Sequence, residues 1–423
     1  MTDLFNLTLA ESPGKVDQIN KTFYGRFNYP WPPSILLAYP AGISHLFLNQ
    51  SIGYYGGRRI PQNPKIWVAG CGTNQALFTA LRFPDAEVLG TDLSTNSLSV
   101  CKKNADQIGV ANLRLEEKSL NDVSYIDEFD YIICTGVIHH NANPPDTLDK
   151  LSRALKKDGI LELMVYNYYH RLVTTACQKA IRTFYDAQAS YDMKREAALL
   201  RRIMADFPYD NILGDTLKSQ LTHPEAVIAD SYLQPVEYSY TIESLGQTAS
   251  SCQLDYLNHC LNQFDIDENR LHWNMNFSDP ELRRIYFSLP DAKRWQISNL
   301  LMFNESPMLW FYFQRKESSF RRKSEQQICD EFMETCFFVN KFEIQRYIIG
   351  EDDRYLRGAE GVSVLAMLPD DRVIRTVVQE ADNRLPMKDV FRRLKLKTDF
   401  HTINDIRLRT STTAFPFLRA VQA

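Results

Sequence analysis

The sequence predicts an α/β protein built on a doubly wound, mostly parallel sheet, with helical insertions and a small C-terminal α+β domain. Residues 65–92 read as a strand, a glycine turn, a helix and a second strand. Two more apolar strands, ending at Thr135 and Tyr166, follow with helical patterns around them, as in parallel βαβ units. Apolar runs near residues 254–259 and 308–315 are expected to close one edge as an antiparallel pair with helices between them.

The glycine turn predicts a ligand. An apolar run at residues 66–69 breaks at the glycine-containing residues 70–72, and the next strand ends on Asp92. In an open parallel sheet such glycines let the backbone pass close under a ligand, and an acid about 20 residues later can hold a ribose. Asn74 and Gln75 stand where dinucleotide enzymes add a third glycine, so a nucleoside cofactor without phosphates is expected. The alternative is a structural turn that happens to contain two glycines.

The next ninety or so residues carry a family resemblance. The chain reads NLRLEEKSLND from Asn112, EFDYIICTGVIHH from Glu128 and PPDTLDKLSRALKKDGILELMVYNYYHR from Pro144. From about residue 64 to residue 171 this resembles the class I S-adenosylmethionine-dependent methyltransferases, most closely the branch written GCGT, FDxIxxTGVxHH and LxxDGxLxLMVY. The resemblance implies a seven-stranded, Rossmann-like sheet and S-adenosyl-L-methionine as the cofactor.

The resemblance also assigns residues to that cofactor. Asp92 would take both ribose hydroxyls, with Leu93 against the adenine. Ser119 and Leu120 occupy the place where the family usually has an acidic and an apolar residue near the adenine. The glycine turn would pass beneath the methionine part, and the residues closing the strand at Thr135 would lie beside the transferable methyl group. The cofactor-binding residues implied are Ala69, Gly70, Cys71, Gly72, Asn74, Gln75, Asp92, Leu93, Ser119, Leu120, Thr135 and Gly136.

Two positions depart from the family pattern. Many members carry an acid two residues before the first glycine, where this chain has Val68, and a glycine where it has Asn74. Recognition of the cofactor's amino group is therefore expected from backbone carbonyls together with Asn74 or Gln75.

Candidate catalytic residues follow the strands that end at Thr135 and Tyr166. Methyl transfer from a sulfonium is an in-line displacement, so catalysis requires a positioned nucleophile and the removal of its proton. His139 and His140 are candidate bases because imidazole accepts a proton near neutral pH. Asn167 is a candidate for orienting the substrate through hydrogen bonds. The alternative for the histidines is that they only tie down the loop.

Two other patterns have structural interpretations. The segment NPPD from Asn143 is expected to begin a helix, with a proline in its first turn, rather than to form a catalytic loop. Cys252, His259 and Cys260 are the only local group of metal-ligand residues, and their apolar alternating context predicts buried strand residues. No metal is predicted.

The chain is expected to contain three units. Residues 1–60 form an N-terminal lid or substrate segment, whose string FYGRFNYPWPPS from Phe23 should be extended because of its prolines. Tyr24, Tyr29 and Trp31 are candidates either for covering the site or for packing on the core surface.

The methyltransferase domain is expected at residues 61–317, with insertions at about 171–240 and 262–306 that build the substrate pocket. Residues 318–423 are expected to be a small α+β, winged-helix-like domain that contacts a partner or completes a homodimer.

Composition restricts the classes of function. A chain of 423 residues is longer than a single hydrophobic core usually serves, so more than one structural unit is expected. Hydrophobic residues make up 44% of it, which is enough for sizeable cores. No apolar run approaches the roughly 20 residues of a membrane span and no leader is evident, so a cytoplasmic protein is expected. The net charge of −4 argues against an enzyme that grips nucleic acid.

The sequence leaves the identity of the methyl acceptor open. The strings GCGTNQA, TDLS, TGVIHH and LMVY, with the long C-terminal extension, resemble the cyanobacterial methyltransferases that make γ-N-methylasparagine on phycobiliprotein β subunits. That resemblance implies a protein substrate and an asparagine amide. A small-molecule O- or N-methyltransferase and a non-catalytic cofactor-binding scaffold are the alternatives.

Overall fold

The computed structural model describes residues 12–26, 33–56, 59–184, 192–220, 223, 225–261, 273–303, 305–352 and 354–421. Its helices are α1 Pro13–Arg26, α2 Ser44–Ser51, α3 Gln75–Arg82, α4 Thr95–Ile108, α5 Pro144–Ala154, α6 Tyr168–Thr183, α7 Met193–Ala205, α8 Ile212–Gln220, α9 Glu225–Tyr232, α10 Ile242–Ser251, α11 Pro280–Phe287, α12 Asp291–Met302, α13 Glu325–Glu334, α14 Arg372–Glu380, α15 Met387–Leu394 and α16 Phe400–Ser411. Its strands are β1 Ile35–Ala38, β2 Lys65–Ala69, β3 Glu87–Asp92, β4 Leu113–Glu117, β5 Phe129–Thr135, β6 Leu155–Tyr166, β7 Leu254–His259, β8 Met308–Arg315, β9 Phe337–Val339, β10 Glu343–Ile349, β11 Tyr355–Arg357, β12 Val362–Ser363 and β13 Leu418–Ala420.

The central sheet has seven strands in the order β4-β3-β2-β5-β6-β8-β7. The first five strands of that order are parallel, and β8 pairs antiparallel with both β6 and β7. The predicted doubly wound, mostly parallel sheet is confirmed, and the expected antiparallel pair is β7 and β8. The strand order reverses between β2 and β5, which in open α/β sheets places a ligand outside the carboxyl ends of those two strands.

Helices cover both faces of the sheet because its central strands are apolar on both sides. In β2, the side chains of Trp67 and Ala69 join the core on one face, whereas Ile66 and Val68 join the core on the other. Helices α5 and α10 supply residues to the first core, and α3 and α4 supply residues to the second. In the part of the chain that is described, no helix has the length and apolar character needed to cross a membrane.

Helices α6 to α9 lie between β6 and β7 and form a separate hydrophobic cluster. Phe23 of α1 is buried in that cluster, so the N-terminal helix packs on the insertion. The expectation that the string from Phe23 is extended was wrong at its start, because residues 23–26 are the last turn of α1. A proline restricts the backbone angles of itself and of the residue before it, so Pro30 does not prevent residues 23–26 from being helical. Tyr29 and Trp31 lie outside the described residues.

The C-terminal residues form a further hydrophobic cluster, built from α13 to α16 with β9, β10 and β13. Helices and strands both occur there, as expected for an α+β unit. Strand β1 pairs antiparallel with β10, for example Leu36 opposite Tyr347, so a piece of the N-terminal segment completes a C-terminal sheet. The sequence did not indicate this pairing. The domain boundaries and the winged-helix interpretation stay predictions.

A buried polar network joins the C-terminal cluster to the central seven-stranded sheet. The carboxylate of Glu325, at the first position of α13, is fully buried and accepts hydrogen bonds from Arg294 Nη2 at 3.1 Å, Trp295 Nε1 at 3.0 Å and Asn274 Nδ2 at 2.9 Å. His259 Nδ1 of β7 lies 3.5 Å from the same carboxylate. Breaking a buried, hydrogen-bonded ion pair leaves an uncompensated charge, which is far more costly than losing a surface pair.

Glu325→Ala is expected to lower the free energy of unfolding by about 3 kcal/mol, because Arg294 and Trp295 would lose a buried acceptor. Urea denaturation followed by circular dichroism measures this. The control is Glu334→Ala on the same helix, which removes an exposed ion pair with Lys388 and should cost less than about 1 kcal/mol. Equal losses in the two variants would contradict the role given to the network.

Candidate active site

The glycine turn after β2 has a backbone shape that only glycine accepts easily. Gly70 and Gly72 have φ angles of +74° and +53°, and a Cβ atom at Gly70 would lie 2.4 Å from Cγ2 of Val137. The Gly70 and Cys71 N–H groups donate to the Thr91 carbonyl at 2.8 and 2.9 Å, which fixes the turn against the end of β3. The turn therefore packs directly under the loop that follows β5.

Asp92 ends β3 beside that turn. Its Oδ2 accepts from the Gly72 N–H and its Oδ1 from the Ser94 N–H, both at 2.8 Å. A carboxylate has about four lone-pair sites, so two remain for a pair of ligand hydroxyls, as a ribose presents. Burial raises the pKa of the Asp92 carboxyl above its usual value, and the backbone N–H groups oppose that rise. The neighbouring Leu93 is half-buried. This arrangement fits a nucleoside cofactor.

The residues predicted beside the methionine part are also brought together. Gln75 Nε2, at the start of α3, donates to Thr135 Oγ1 at 2.6 Å, which ties the helix to the end of β5. Gly136 follows with a φ of +76°. Asn74 is buried and its Nδ2 donates to Thr73 Oγ1 at 2.9 Å. Of the two amides considered for the cofactor's amino group, Gln75 is the one that reaches the β5 side of the site.

Cys71 is buried within the turn. Burial raises the pKa of its thiol well above the usual value, so the side chain is a small apolar group and the backbone is what the turn offers to a ligand. Ala69, at the end of β2, is also fully buried and contributes only backbone here.

The acceptor side is formed by the loop after β5. The His139 ring is fully buried, with its centroid 4.2 Å from the centroids of both His140 and Tyr166. Within the described residues, neither ring nitrogen of His139 has a hydrogen-bond partner. His140 Nδ1 lies 2.9 Å from the Val236 carbonyl oxygen and must donate to it, which leaves Nε2 as the acceptor in the neutral ring.

Burial lowers the pKa of both histidines. It lowers the pKa of His139 well below the usual value, and the nearby His140 and Arg171 lower it further. Burial also lowers the pKa of His140, with Glu237 and the Val236 carbonyl opposing the shift. Both rings are therefore neutral at pH 7.

The helical insertion supplies the wall beside these rings. Arg171 of α6 forms a buried bidentate pair with Glu237, at 2.8 Å from Nε and 2.5 Å from Nη2, and its guanidinium lies 4.3 Å from the Tyr166 ring centroid. Tyr238 N donates to the His139 carbonyl oxygen at 2.9 Å. Sequence reasoning missed this pair, and its only sequence signal was two charged residues in an insertion expected to line the pocket.

The Asn167 side chain is hydrogen-bonded within the protein on both sides of its amide. Its Oδ1 accepts from Tyr169 N at 3.3 Å, as the N-cap of α6, and from Asn299 Nδ2 at 2.9 Å. Its Nδ2 donates to the Ser306 carbonyl at 2.7 Å. The amide is buried and engaged on both sides, so the geometry favours a structural role over one in orienting a substrate.

Helix α1 lies over the carboxyl ends of β4 and β5. Lys21 pairs with Glu117 at the end of β4, and Asn20 Nδ2 donates to the His140 carbonyl oxygen at 2.8 Å. Ser119 Oγ donates to Asp17 Oδ2 at 2.6 Å, and Leu120 beside it is buried. Tyr24 Oη accepts from Gln234 Nε2 at 2.7 Å, so this ring packs on the insertion and not over the glycine turn. Within the described part of residues 1–60, α1 therefore contacts the loops after both β4 and β5.

Two other sequence patterns can be located in the structure. Pro144 is the first residue of α5, which confirms the helix start expected for the NPPD segment. A cavity of about 480 Å³ lies between α1 and α5 and is lined by Asp17, Asn121, Asp146 and Asp149, among others. Cys252 and Cys260 are buried, and no cluster of three or more potential metal ligands occurs among the described side chains.

Comparison with known proteins agrees with this geometry. Residues 68–219 match a family described as a methyltransferase domain. An uncharacterised protein of Synechococcus sp. is 29% identical over 302 residues, covering 69% of this chain and 70% of the relative. An uncharacterised protein of Rickettsia prowazekii is 27% identical over 236 residues, covering 52% of this chain and 90% of the relative.

Among solved structures, PKMT2 from Rickettsia typhi has a TM-score of 0.56 at 16% identity and covers 91% of this chain and 77% of its own. Its complex with AdoHcy gives the same TM-score at 18% identity, with coverages of 93% and 78%. At this identity the similarity concerns the fold, and it extends beyond the sheet into both terminal parts of the chain.

Gly70→Ala is expected to weaken binding of S-adenosylhomocysteine by about tenfold or more, because the new Cβ pushes the Val137 loop away from the turn. Isothermal titration calorimetry measures this. Gly109→Ala is the control, since Gly109 has a φ of +79° with nothing within 4 Å of its Cβ position. That variant carries the backbone strain of about 1–2 kcal/mol alone and should bind normally. Normal binding by Gly70→Ala would contradict the assigned turn.

Proposed function

We propose, from the premise that this chain is an S-adenosylmethionine-dependent methyltransferase of class I fold, that its acceptor is a side-chain nitrogen of a protein, and specifically an asparagine amide. The observation that carries the choice of an amide is the pair of buried histidines, whose pKa values lie below the usual imidazole value.

The acid–base match favours an acceptor that is neutral at pH 7. A lysine ammonium, with a pKa of about 10.4, must lose a proton before it can attack, and an imidazole of lowered pKa is a weak base for that task. An amide is already neutral, and it becomes strongly acidic as its nitrogen takes a methyl group. A weak neutral base is then sufficient to accept the proton.

His140 is the group that we assign to that step. Its Nδ1 is committed to the Val236 carbonyl oxygen at 2.9 Å, so its Nε2 lone pair is the one available to the acceptor's N–H group. The His139 ring, wedged between His140 and Tyr166, orients its neighbours by packing. The bound cofactor supplies a methyl group on a sulfonium, and the protein's task is to align the amide nitrogen with it and to exclude water.

A protein acceptor is supported by the parts of the chain outside the sheet. Recognition of a folded partner takes about 800 Å² per side, more than a small-molecule pocket offers. The insertions present exposed apolar side chains, including Tyr209 and Ile212 near α8 and Leu301 and Phe303 at the end of α12. The name PKMT2 denotes a protein lysine methyltransferase, and its fold covers the same insertions and terminal parts.

The finer identity of the partner is also a proposal. The sequence resemblance to methyltransferases that act on phycobiliprotein β subunits supports such a subunit as the substrate. A lysine side chain is the second candidate because PKMT2 shares this fold over most of both chains.

The proposal predicts that purified enzyme with methyl-labelled S-adenosylmethionine labels a discrete protein band in lysate from its source organism. Acid hydrolysis of that band should release labelled methylamine, because a methylated amide is cleaved whereas methyllysine survives. Asp92→Ala, which removes the carboxylate that holds the Gly72 and Ser94 N–H groups, should abolish labelling.

Other outcomes separate the alternatives. Labelled methyllysine would show that the acceptor is a lysine side chain and not an asparagine amide. Label confined to small molecules would reject a protein acceptor in favour of a metabolite methyltransferase, and cofactor binding without any labelling would favour a scaffold protein.

The histidine environment predicts an acid-shifted pH profile. Because burial lowers the pKa of His140, the neutral base persists below the usual imidazole pKa of about 6.5, and kcat/KM should fall only as the pH drops through the lowered value. His140→Gln should reduce kcat by about 100-fold or more and remove this acid limb. His139→Gln serves as the comparison and should retain the limb. An acid limb centred above pH 6.5, or one unchanged in His140→Gln, would contradict the assignment.

A further inference from the structure

The topology places the nucleobase end of the cofactor near the loop after β4. The glycine turn follows β2 and the ribose-holding Asp92 follows β3, so a nucleoside on these two strands extends toward their neighbour β4. The methyl-bearing end points the other way, toward β5 and His139. At the β4 loop, Ser119 and Asn121 are the polar groups that face α1, and both donate to the same acceptor.

That acceptor is Asp17, which belongs to α1. Its Oδ2 accepts from Ser119 Oγ at 2.6 Å and from Asn121 Nδ2 at 3.1 Å, and its Oδ1 accepts from Asn121 Nδ2 at 2.9 Å. Of about four lone-pair sites on the carboxylate, these contacts use three. Asp17 is half-buried and lines the cavity of about 480 Å³ between α1 and α5, so there is space beside its carboxylate for a further N–H donor.

We propose that Asp17 is a cofactor-binding residue that accepts a hydrogen bond from the amino group of the adenine and selects for that base. At position 119, where the family resemblance implies an acidic residue near the adenine, this chain has Ser119. The nearby carboxylate is supplied by Asp17 of the N-terminal helix. A carboxylate only accepts, so it favours the 6-amino group of adenine and repels a base with a 6-oxo group.

Neighbouring contacts hold Asp17 in this position. Lys21, one helical turn further along α1, pairs with Glu117 at the end of β4. Val16 and Phe23 are buried, which anchors the helix by apolar packing on both sides of the polar contacts. Asn20 donates to the His140 carbonyl oxygen, so the helix that carries the base-selecting carboxylate also touches the acceptor side.

The test measures binding alone, so it does not depend on the acceptor. S-adenosylhomocysteine and its deaminated analogue S-inosylhomocysteine are titrated into the full chain by isothermal titration calorimetry. The wild type should prefer the adenosine compound by about tenfold or more, the range of a hydrogen bond to a charged group. In Asp17→Asn the preference should fall to near unity or reverse, because the amide can donate to the 6-oxo group.

Lys21→Ala is the matched control on the same helix. It removes an anchor of α1 without changing the carboxylate, so it should weaken both ligands by the same factor and keep the wild-type preference. Asp17→Asn that keeps the full preference, or that weakens both ligands equally as Lys21→Ala does, would overturn the proposal and leave Asp17 with a purely structural role. Thermal unfolding of each variant confirms that the folded protein is being titrated.

Discussion

The close approach between Gly70 and Val137 is the contact on which the site depends. It lets the loop after β5 lie directly against the turn after β2, at the point where the strand order reverses. The first of these segments carries the two histidines and the second carries the backbone that faces the cofactor. Because Gly70 has no side chain, the Val137 side chain packs directly on the turn, and a displacement of either segment is felt by the other.

Elements distant in sequence close this site from above. Helix α1 contacts the end of β4 through Lys21, the loop after it through Asp17, and the loop after β5 through Asn20. The same helix inserts Phe23 into the cluster formed by α6 to α9. The insertion also holds the buried Arg171–Glu237 pair against Tyr166. Helix α1, the insertion and the loop after β5 therefore form one packed body.

The sequence predicted the features that local spacing determines. Apolar strands, glycines in a turn and an acid at the end of the next strand are all recognisable without tertiary information. The sheet is as expected, and Asp92 ends β3 beside the glycine turn. Partners far apart in the chain were not predictable. The pairing of β1 with β10, the contact of Asp17 with Ser119 and the pair of Arg171 with Glu237 depend on how the units pack. Asn167 shows the same limit, since a polar residue ending a strand can equally cap the next helix.

The distribution of charge explains why the histidines must be neutral. A sulfonium is cationic, and a protonated imidazole beside it would oppose binding at the point where water is excluded. Burial lowers the pKa of both rings and so prevents that repulsion, while the cationic groups nearby are paired, Arg171 with Glu237 and Lys21 with Glu117. The same burial weakens the histidines as bases. On the proposed function, bases kept neutral to accommodate a cation suit an acceptor whose proton is easily removed once the methyl group has arrived. That property belongs to an amide nitrogen more than to an ammonium group.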